Sequence, residues 1–134
     1  MPSIQTDMSA FRSQLQSGSI QQAYRALLGY MMDLRTHLRK KYPKYSVSGL
    51  YQGYLDMSYF ALVPPSFKRH RLKIAIVFNY GAFRFEAWLA AVNRQVQRKY
   101  WERLKDTRWA AYRVVAPGAG VDSIIECDLA ACDK

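Results

Sequence analysis

Apolar and polar residues alternate along two adjacent stretches in the middle of the chain, LKIAIVFN at 72–79 and FRFEAWL at 83–89. Side chains of a β-strand point alternately to its two faces, so this period of two predicts a pair of neighbouring strands. One side, the apolar face, comprises Leu72, Ile74, Ile76, Phe78, Phe83, Phe85, Ala87 and Leu89. The other side, the polar face, comprises Lys73, Ala75, Val77, Asn79, Arg84, Glu86 and Trp88. We therefore expect any chemistry to be concentrated on the polar face.

The connection between these two strands is short enough for a hairpin. If Tyr80 and Gly81 form a two-residue loop, Phe78 pairs with Phe83 and Ile76 with Phe85. In that register every apolar residue faces an apolar partner, which is the condition that usually fixes strand pairing.

Helical periodicity appears on both sides of the strand region. Apolar residues recur with a spacing near 3.6 in three segments, which predicts helices over 8–17, 19–42 and 93–106. The first is expected to begin at a cap formed by Thr6 or Asp7, and the third at Asn93.

Further strands are predicted on both sides of the central pair. Residues 45–63 are strand-like but are interrupted by Gly49 and Gly53, and 109–115 and 123–129 are also strand-like. The fold class is therefore α+β, with a single antiparallel-rich sheet of about five strands and three helices packed on it. At 134 residues we expect one domain over 1–134, with flexible ends at 1–7 and 131–134.

The net charge of +10 is unevenly placed along the chain. From Phe11 to Arg113 there are 19 Lys or Arg against five Asp or Glu, whereas 114–134 carries four acids and one Lys. A basic body of this kind attracts polyanions, of which nucleic acid is the common one. The alternative is that the charge serves solubility alone.

The composition also leads to expectations about the cellular location of the protein and about bound metals or cofactors. No segment approaches the roughly 18 apolar residues of a membrane span, and the start MPSIQTDMSAF lacks the pattern of a signal peptide. A cytoplasmic protein without a membrane partner is expected. Cys127 and Cys132 lack the further ligands of a zinc site, so free thiols are expected, with no metal and no cofactor.

Two stretches carry a resemblance to a known family: KYPKYSVSGLYQGYLDMSYFALVP at 41–64 and LKIAIVFNYGAFRFEAWLAAVNRQVQRKYW at 72–101. They resemble a small bacterial protein family of unknown function, and the similarity extends from Ser19 to the segment GVDSIIE. The resemblance implies a bacterial or otherwise intracellular single-domain protein. It brings no assigned activity and therefore no catalytic residue.

The candidate binding site consists of residues whose spacing along the predicted strands places them on the polar face. Its members are Tyr54, Asp56, Lys73, Arg84, Glu86 and Trp88. Aromatic residues interleaved with basic ones are typical of single-strand binders, in which bases stack on rings and phosphates contact cations. We expect Tyr54 and Trp88 to stack or pack, Lys73 and Arg84 to contact anions, and the two acids to orient them. In the preceding strand, Tyr51 and Tyr59 are expected to point to the face opposite to that of Tyr54 and Asp56, so they are predicted to be core residues.

Two alternatives to a nucleic-acid-binding module stay open. A helix, three strands, a helix and a strand is also the core order of restriction-endonuclease-like nucleases, which suggests metal binding by Asp56 and Glu86 with Lys73 nearby. That pattern places the Lys two residues after the Glu, where this chain has Trp88. The other alternative is a small-ligand pocket or a homodimer interface across the same face. The balance favours a non-catalytic binding or interaction module over an enzyme.

Overall fold

The computed structural model describes residues 3–106, 112–117 and 123–128. The chain divides into two compact units, Met1–Leu34 and Arg35–Lys134. The expectation of one domain over 1–134 with flexible ends stays a prediction, and residues 131–134 lie outside the described part of the chain.

Helices dominate the N-terminal part of the chain. Helix α1 spans Ile4–Gln16 and begins at Ser3, whose Oγ accepts a hydrogen bond from the Thr6 backbone N–H at 3.1 Å. The predicted start at Met8 is therefore wrong, because the cap lies before Thr6 and Asp7. Gly18 separates α1 from α2 with a φ of 79°, a conformation that glycine adopts without strain. Helix α2 spans Ser19–Lys41, close to its predicted bounds.

The described residues after α2 include a six-stranded sheet. Its strands are β1 Ser46–Val47, β2 Met57–Val63, β3 Leu72–Asn79, β4 Arg84–Ala91, β5 Tyr112–Val114 and β6 Ser123–Asp128. They are arranged in the order β1-β2-β3-β4-β6-β5, and every neighbouring pair is antiparallel. The α+β class and the antiparallel sheet are confirmed.

Two further helices complete the described residues, α3 Pro65–Arg69 and α4 Arg94–Leu104. Helix α3 was not predicted; it forms because Pro65 at its first turn has the φ of a helix and needs no N–H partner. The described residues thus contain four helices, not three. Helix α4 starts as predicted at Asn93, whose Oδ1 accepts from the Val96 N–H at 2.9 Å.

The β3–β4 hairpin has a longer loop than predicted. Phe78 pairs with Phe85 and Asn79 with Arg84, so the predicted pairing of Phe78 with Phe83 is wrong by two residues. Asn79 Oδ1 accepts from the Ala82 N–H at 3.1 Å and stabilises the four-residue loop. A shift of two residues leaves Arg84–Leu89 on their predicted faces, because the strand period is two, but the prediction for Phe83 is wrong: this residue lies in the loop and is exposed.

Both faces of the sheet contain buried residues. Phe60, Ile76 and Phe78 are buried on the apolar face, while Val77 and Glu86 are fully buried on the polar face. The polar face is therefore only partly open to solvent.

Cys127, in β6, is buried and disulfide-bonded, so the expectation of a free thiol at this position is wrong; Cys132 lies outside the described residues.

Among the helices of the described residues, none combines the length and the apolar character that crossing a membrane requires.

Candidate functional site

A buried carboxylate lies at the centre of the polar face. Glu86 Oε2 accepts from Arg84 Nε at 2.7 Å, and its Oε1 accepts from Trp88 Nε1 at 2.8 Å. Residues two apart in a strand share a face, which explains why these three side chains meet. The Asn79 side chain, from the neighbouring strand, also hydrogen-bonds Glu86. The carboxylate is thus held from several sides.

These contacts set the protonation state of Glu86. Burial by itself raises the pKa of this carboxyl, but the hydrogen bonds from Arg84, Trp88 and Asn79 and the charge of Arg84 outweigh it. The net result is a pKa below the ordinary value of 4.5. Glu86 is therefore ionised at neutral pH and fixes the indole of Trp88 through the bond to its N–H.

A groove of about 210 Å³ lies beside this cluster. Its lining consists of Met57, Tyr59, Lys73, Ala75, Trp88, Ala91 and Val92. Ala75 lies directly opposite Trp88 in the β3–β4 register, and its small side chain leaves the space that the groove occupies. Lys73 is half-buried and forms no ion pair with any acidic side chain of the described residues.

Positive charge collects at one end of the sheet. Ser46 at the start of β1 pairs with Val63 at the end of β2, and Leu72 at the start of β3 pairs with Ala91 at the end of β4. Three segments, 41–46, 64–73 and 92–98, therefore begin or finish at the same end. Together they hold eight Lys or Arg and no Asp or Glu. This basic end comprises Lys41, Lys44, Lys68, Arg69, Arg71, Lys73, Arg94 and Arg98.

The groove borders the basic end. Lys73 belongs to both, and Val92, which lines the groove, donates its N–H to the Arg71 carbonyl at 3.0 Å. Arg94 follows two residues later and opens α4, so its Cα lies within about 8 Å of that of Val92. An anion bound at the basic end would thus be adjacent to the aromatic groove.

A second aromatic pair lies within the basic end. The rings of Tyr42 and Tyr45 stack with centroids 4.6 Å apart and planes inclined by 13°. Lys41 Nζ lies 5.5 Å from the Tyr42 ring centre, within the range of a cation–π contact. The basic end therefore contains aromatic as well as cationic groups.

The structure brings together four of the six predicted site residues. Lys73, Arg84, Glu86 and Trp88 lie on the polar face, as predicted. In particular, Glu86 and Trp88 share one face, as the alternation along 83–89 predicts.

Tyr54 and Asp56 lie elsewhere, in the loop before β2. Two features explain this: the strand begins only at Met57, after Gly53 and Leu55 with positive φ values, and within it the odd-numbered residues lie on the polar face, opposite to the prediction. Asp56 Oδ1 accepts from the backbone N–H groups of Tyr54 at 2.9 Å and Met57 at 2.8 Å. These bonds lower the pKa of Asp56. Its placement is that of a loop-stabilising residue, while Tyr54 is 89% exposed.

Sequence reasoning missed Tyr59 and the basic end. Tyr59, predicted to be core, is opposite Val77 in register and lines the groove on the polar face. The buried polar Ser58 obscured the parity of β2, since a serine gives no sign of facing a core. Lys68 and Arg69 belong to helix α3, and only the structure shows that α3 and α4 begin at the same end of the sheet.

The carboxylates proposed for a nuclease are both engaged by N–H donors. Glu86 is bound by Arg84 and Trp88, and Asp56 by two backbone amides, so neither presents a free oxygen pair towards the other. Across residues 3–106, 112–117 and 123–128, no three His, Cys, Asp or Glu side chains cluster as metal ligands.

Comparison with known proteins gives a family and no activity. No curated protein and no solved structure matches the chain. A family model described as a domain of unknown function (DUF7000) matches residues 4–133, which confirms the resemblance to a family of unknown function. On that match, which covers nearly the whole chain, the protein belongs to the DUF7000 family.

Proposed function

We propose that this protein is a non-catalytic nucleic-acid-binding module that holds the phosphate backbone at its basic end. The observation that carries the proposal is that three segments holding eight Lys or Arg, and no Asp or Glu of their own, begin or finish at one end of the sheet. A cytoplasmic location, where nucleic acid is available, is part of the same proposal.

Clustering distinguishes binding from simple solubility. Solubility requires net charge but no particular arrangement, and like charges brought together repel one another. Here the cations are concentrated beside aromatic groups, the Tyr42–Tyr45 stack and the groove walls Tyr59 and Trp88. Proteins that bind single-stranded nucleic acid combine basic groups, which contact the phosphates, with aromatic groups, on which the bases stack.

The test is fluorescence anisotropy of labelled oligonucleotides at several salt concentrations. Binding should weaken with salt, with a log–log slope of about −0.7 per phosphate contacted for single strands. The Lys68→Gln/Arg69→Gln double variant should bind more weakly and show a shallower slope, because it removes two phosphate contacts.

A matched control removes two charges from the far end of α4. Arg103→Gln/Lys105→Gln changes the net charge equally, but Lys105 lies roughly 16 Å along the helix from Arg94. This control should retain most of the affinity. Equal losses in both double variants, or no binding at low salt, would overturn the proposal and leave solubility as the role of the charge.

A further inference from the structure

We infer that the groove between Tyr59 and Trp88 receives one unpaired base of the bound strand, so that the protein selects single-stranded over duplex nucleic acid. This inference rests on the proposed function, since the basic end supplies the phosphate contacts that bring a strand to the groove.

The dimensions of the groove fit one ring system. Its volume of about 210 Å³ is below the roughly 300–1,000 Å³ of sites that enclose drug-sized ligands. Tyr59 on β2 and Trp88 on β4 flank the central strand β3 and are offset by two residues along it, because Tyr59 is opposite Val77 and Trp88 is opposite Ala75. Two inter-strand spacings and this offset place their backbones roughly 12 Å apart. A planar base can enter between two such walls, whereas a base pair inside a duplex cannot reach them.

The chemistry of the walls favours stacking over base-specific hydrogen bonding. The indole N–H of Trp88 is already donated to Glu86, so Trp88 offers its ring and not its donor. Met57 and Ala75 add apolar surface. Stacking tolerates every base because each has a π-face, and binding in the groove should therefore depend little on sequence.

Charge complementarity identifies the occupant as part of a polyanion. Lys73 lines the groove and belongs to the basic end, and its long apolar stem can line the wall while the ammonium group reaches solvent. Arg71 is linked to the groove through Val92. A base in the groove would thus have its own phosphate next to these cations.

The experiment compares three probes of equal length at one salt concentration: a single strand, the same strand with abasic sites, and a duplex. All three carry the phosphates that the basic end requires. The wild-type protein should bind the single strand roughly 5- to 150-fold more tightly than the abasic strand, the range expected for one stacked base. The duplex should bind more weakly than the single strand despite its higher charge density, because its bases are stacked inside the helix and cannot enter the groove.

Variants then assign that preference to the groove. Trp88→Leu removes the ring, and Trp88→Phe retains a ring while losing the N–H donated to Glu86. The preference for bases over abasic sites should be lost in the first and largely kept in the second. Tyr54→Leu, which removes an exposed ring outside the groove, should keep it fully.

The possible results separate the two proposals. Equal, salt-sensitive binding of all three probes by the wild-type protein would overturn the base site and leave the proposed function standing. Loss of the preference in Tyr54→Leu would also overturn the base site, and absence of binding to any probe would overturn both. The comparison of probes on the wild-type protein needs no variant, so poor folding of Trp88→Leu would not obscure the result.

Discussion

At the scale of single residues, the candidate site depends on one buried charge. Glu86 has no exposed surface, and it is held in ionised form by the guanidinium of Arg84, the indole of Trp88 and the amide of Asn79. A buried carboxylate is stabilising only while its partners are present, because its desolvation has to be offset by them. Glu86 therefore links the stability of the sheet to the orientation of the groove wall.

Replacing Glu86 with Gln should test this link. We expect the variant to lose about 1–3 kcal/mol of unfolding free energy at pH 7, less than a fully buried pair would lose because Arg84 is partly exposed. The matched control is Glu102→Gln, which breaks the exposed pair with Lys105 and should cost less than about 1 kcal/mol. Urea unfolding followed by tryptophan fluorescence measures both.

The same variant gives a dependence on pH with a defined sign. The pKa of Glu86 is lower in the folded protein than its ordinary value of 4.5, so the folded state binds this proton less readily than the unfolded state. The stability it contributes is present above about pH 4.5 and is lost as the pH falls through the folded pKa. The difference between wild type and Glu86→Gln should be constant from pH 7 to about 5 and shrink below that. A difference that grows on acidification would contradict the assignment.

At the scale of elements, the loop before β2 determines where the strand begins. Gly53 has a φ of 74°, and a Cβ placed on it would lie 1.9 Å from the Met57 carbonyl oxygen. The backbone approaches itself so closely because Asp56 Oδ1 accepts from the N–H groups of Tyr54 and Met57 and tightens the loop. The loop thereby fixes which residues of β2 face the groove.

Gly53→Ala should be strongly destabilising. The added methyl group meets a backbone atom and not a movable side chain, and the positive φ adds strain, so we expect a loss of about 1–3 kcal/mol or more. Gly49→Ala is the matched control: nothing lies within 4 Å of its Cβ position, and its φ lies outside the positive range. Thermal unfolding should show a lower Tm for Gly53→Ala and little change for Gly49→Ala. Similar effects in both would mean that close approach of the backbone at Gly53 is not what matters.

At the scale of the whole molecule, repulsion among the clustered positive charges is expected to lower the stability of the folded protein. Eight cations share the basic end, and the chain as a whole carries +10. Repulsion among like charges falls as salt screens them, because the Debye length shortens from about 30 Å at 0.01 M to about 10 Å at 0.1 M. An arrangement that costs folding free energy is easier to understand if the basic end has a partner.

The wild-type protein should therefore become more stable as salt rises over that range. Lys68→Gln/Arg69→Gln, which relieves part of the repulsion, should be more stable than wild type at low salt and should gain less from added salt. Chemical denaturation at two salt concentrations, with Arg103→Gln/Lys105→Gln as the equal-charge control, provides the measurement. A wild-type stability that does not respond to salt would show that the cations lie too far apart to repel.

The local pattern of apolar and polar residues determined much of the fold of this chain. Alternation along 72–79 and 83–89 was enough to place Lys73, Glu86 and Trp88 on one face, and a register error of two residues could not change that because the strand period is two. Helical periodicity and the Asn93 cap fixed α4 in the same way. The α+β class follows from these local preferences, which act between residues close in sequence.

The tertiary structure decided what local pattern cannot express. Whether Tyr59 faces the groove depends on where β2 begins, and that is set by the positive φ values of Gly53 and Leu55 and the bonds to Asp56. The burial of Glu86 and the meeting of 41–46, 64–73 and 92–98 at one end depend on pairings between residues far apart in the chain. The sequence by itself determined which residues carry charge and which face of a strand they occupy. Only the folded sheet decided which of them are neighbours, because strand order and register arise from long-range packing.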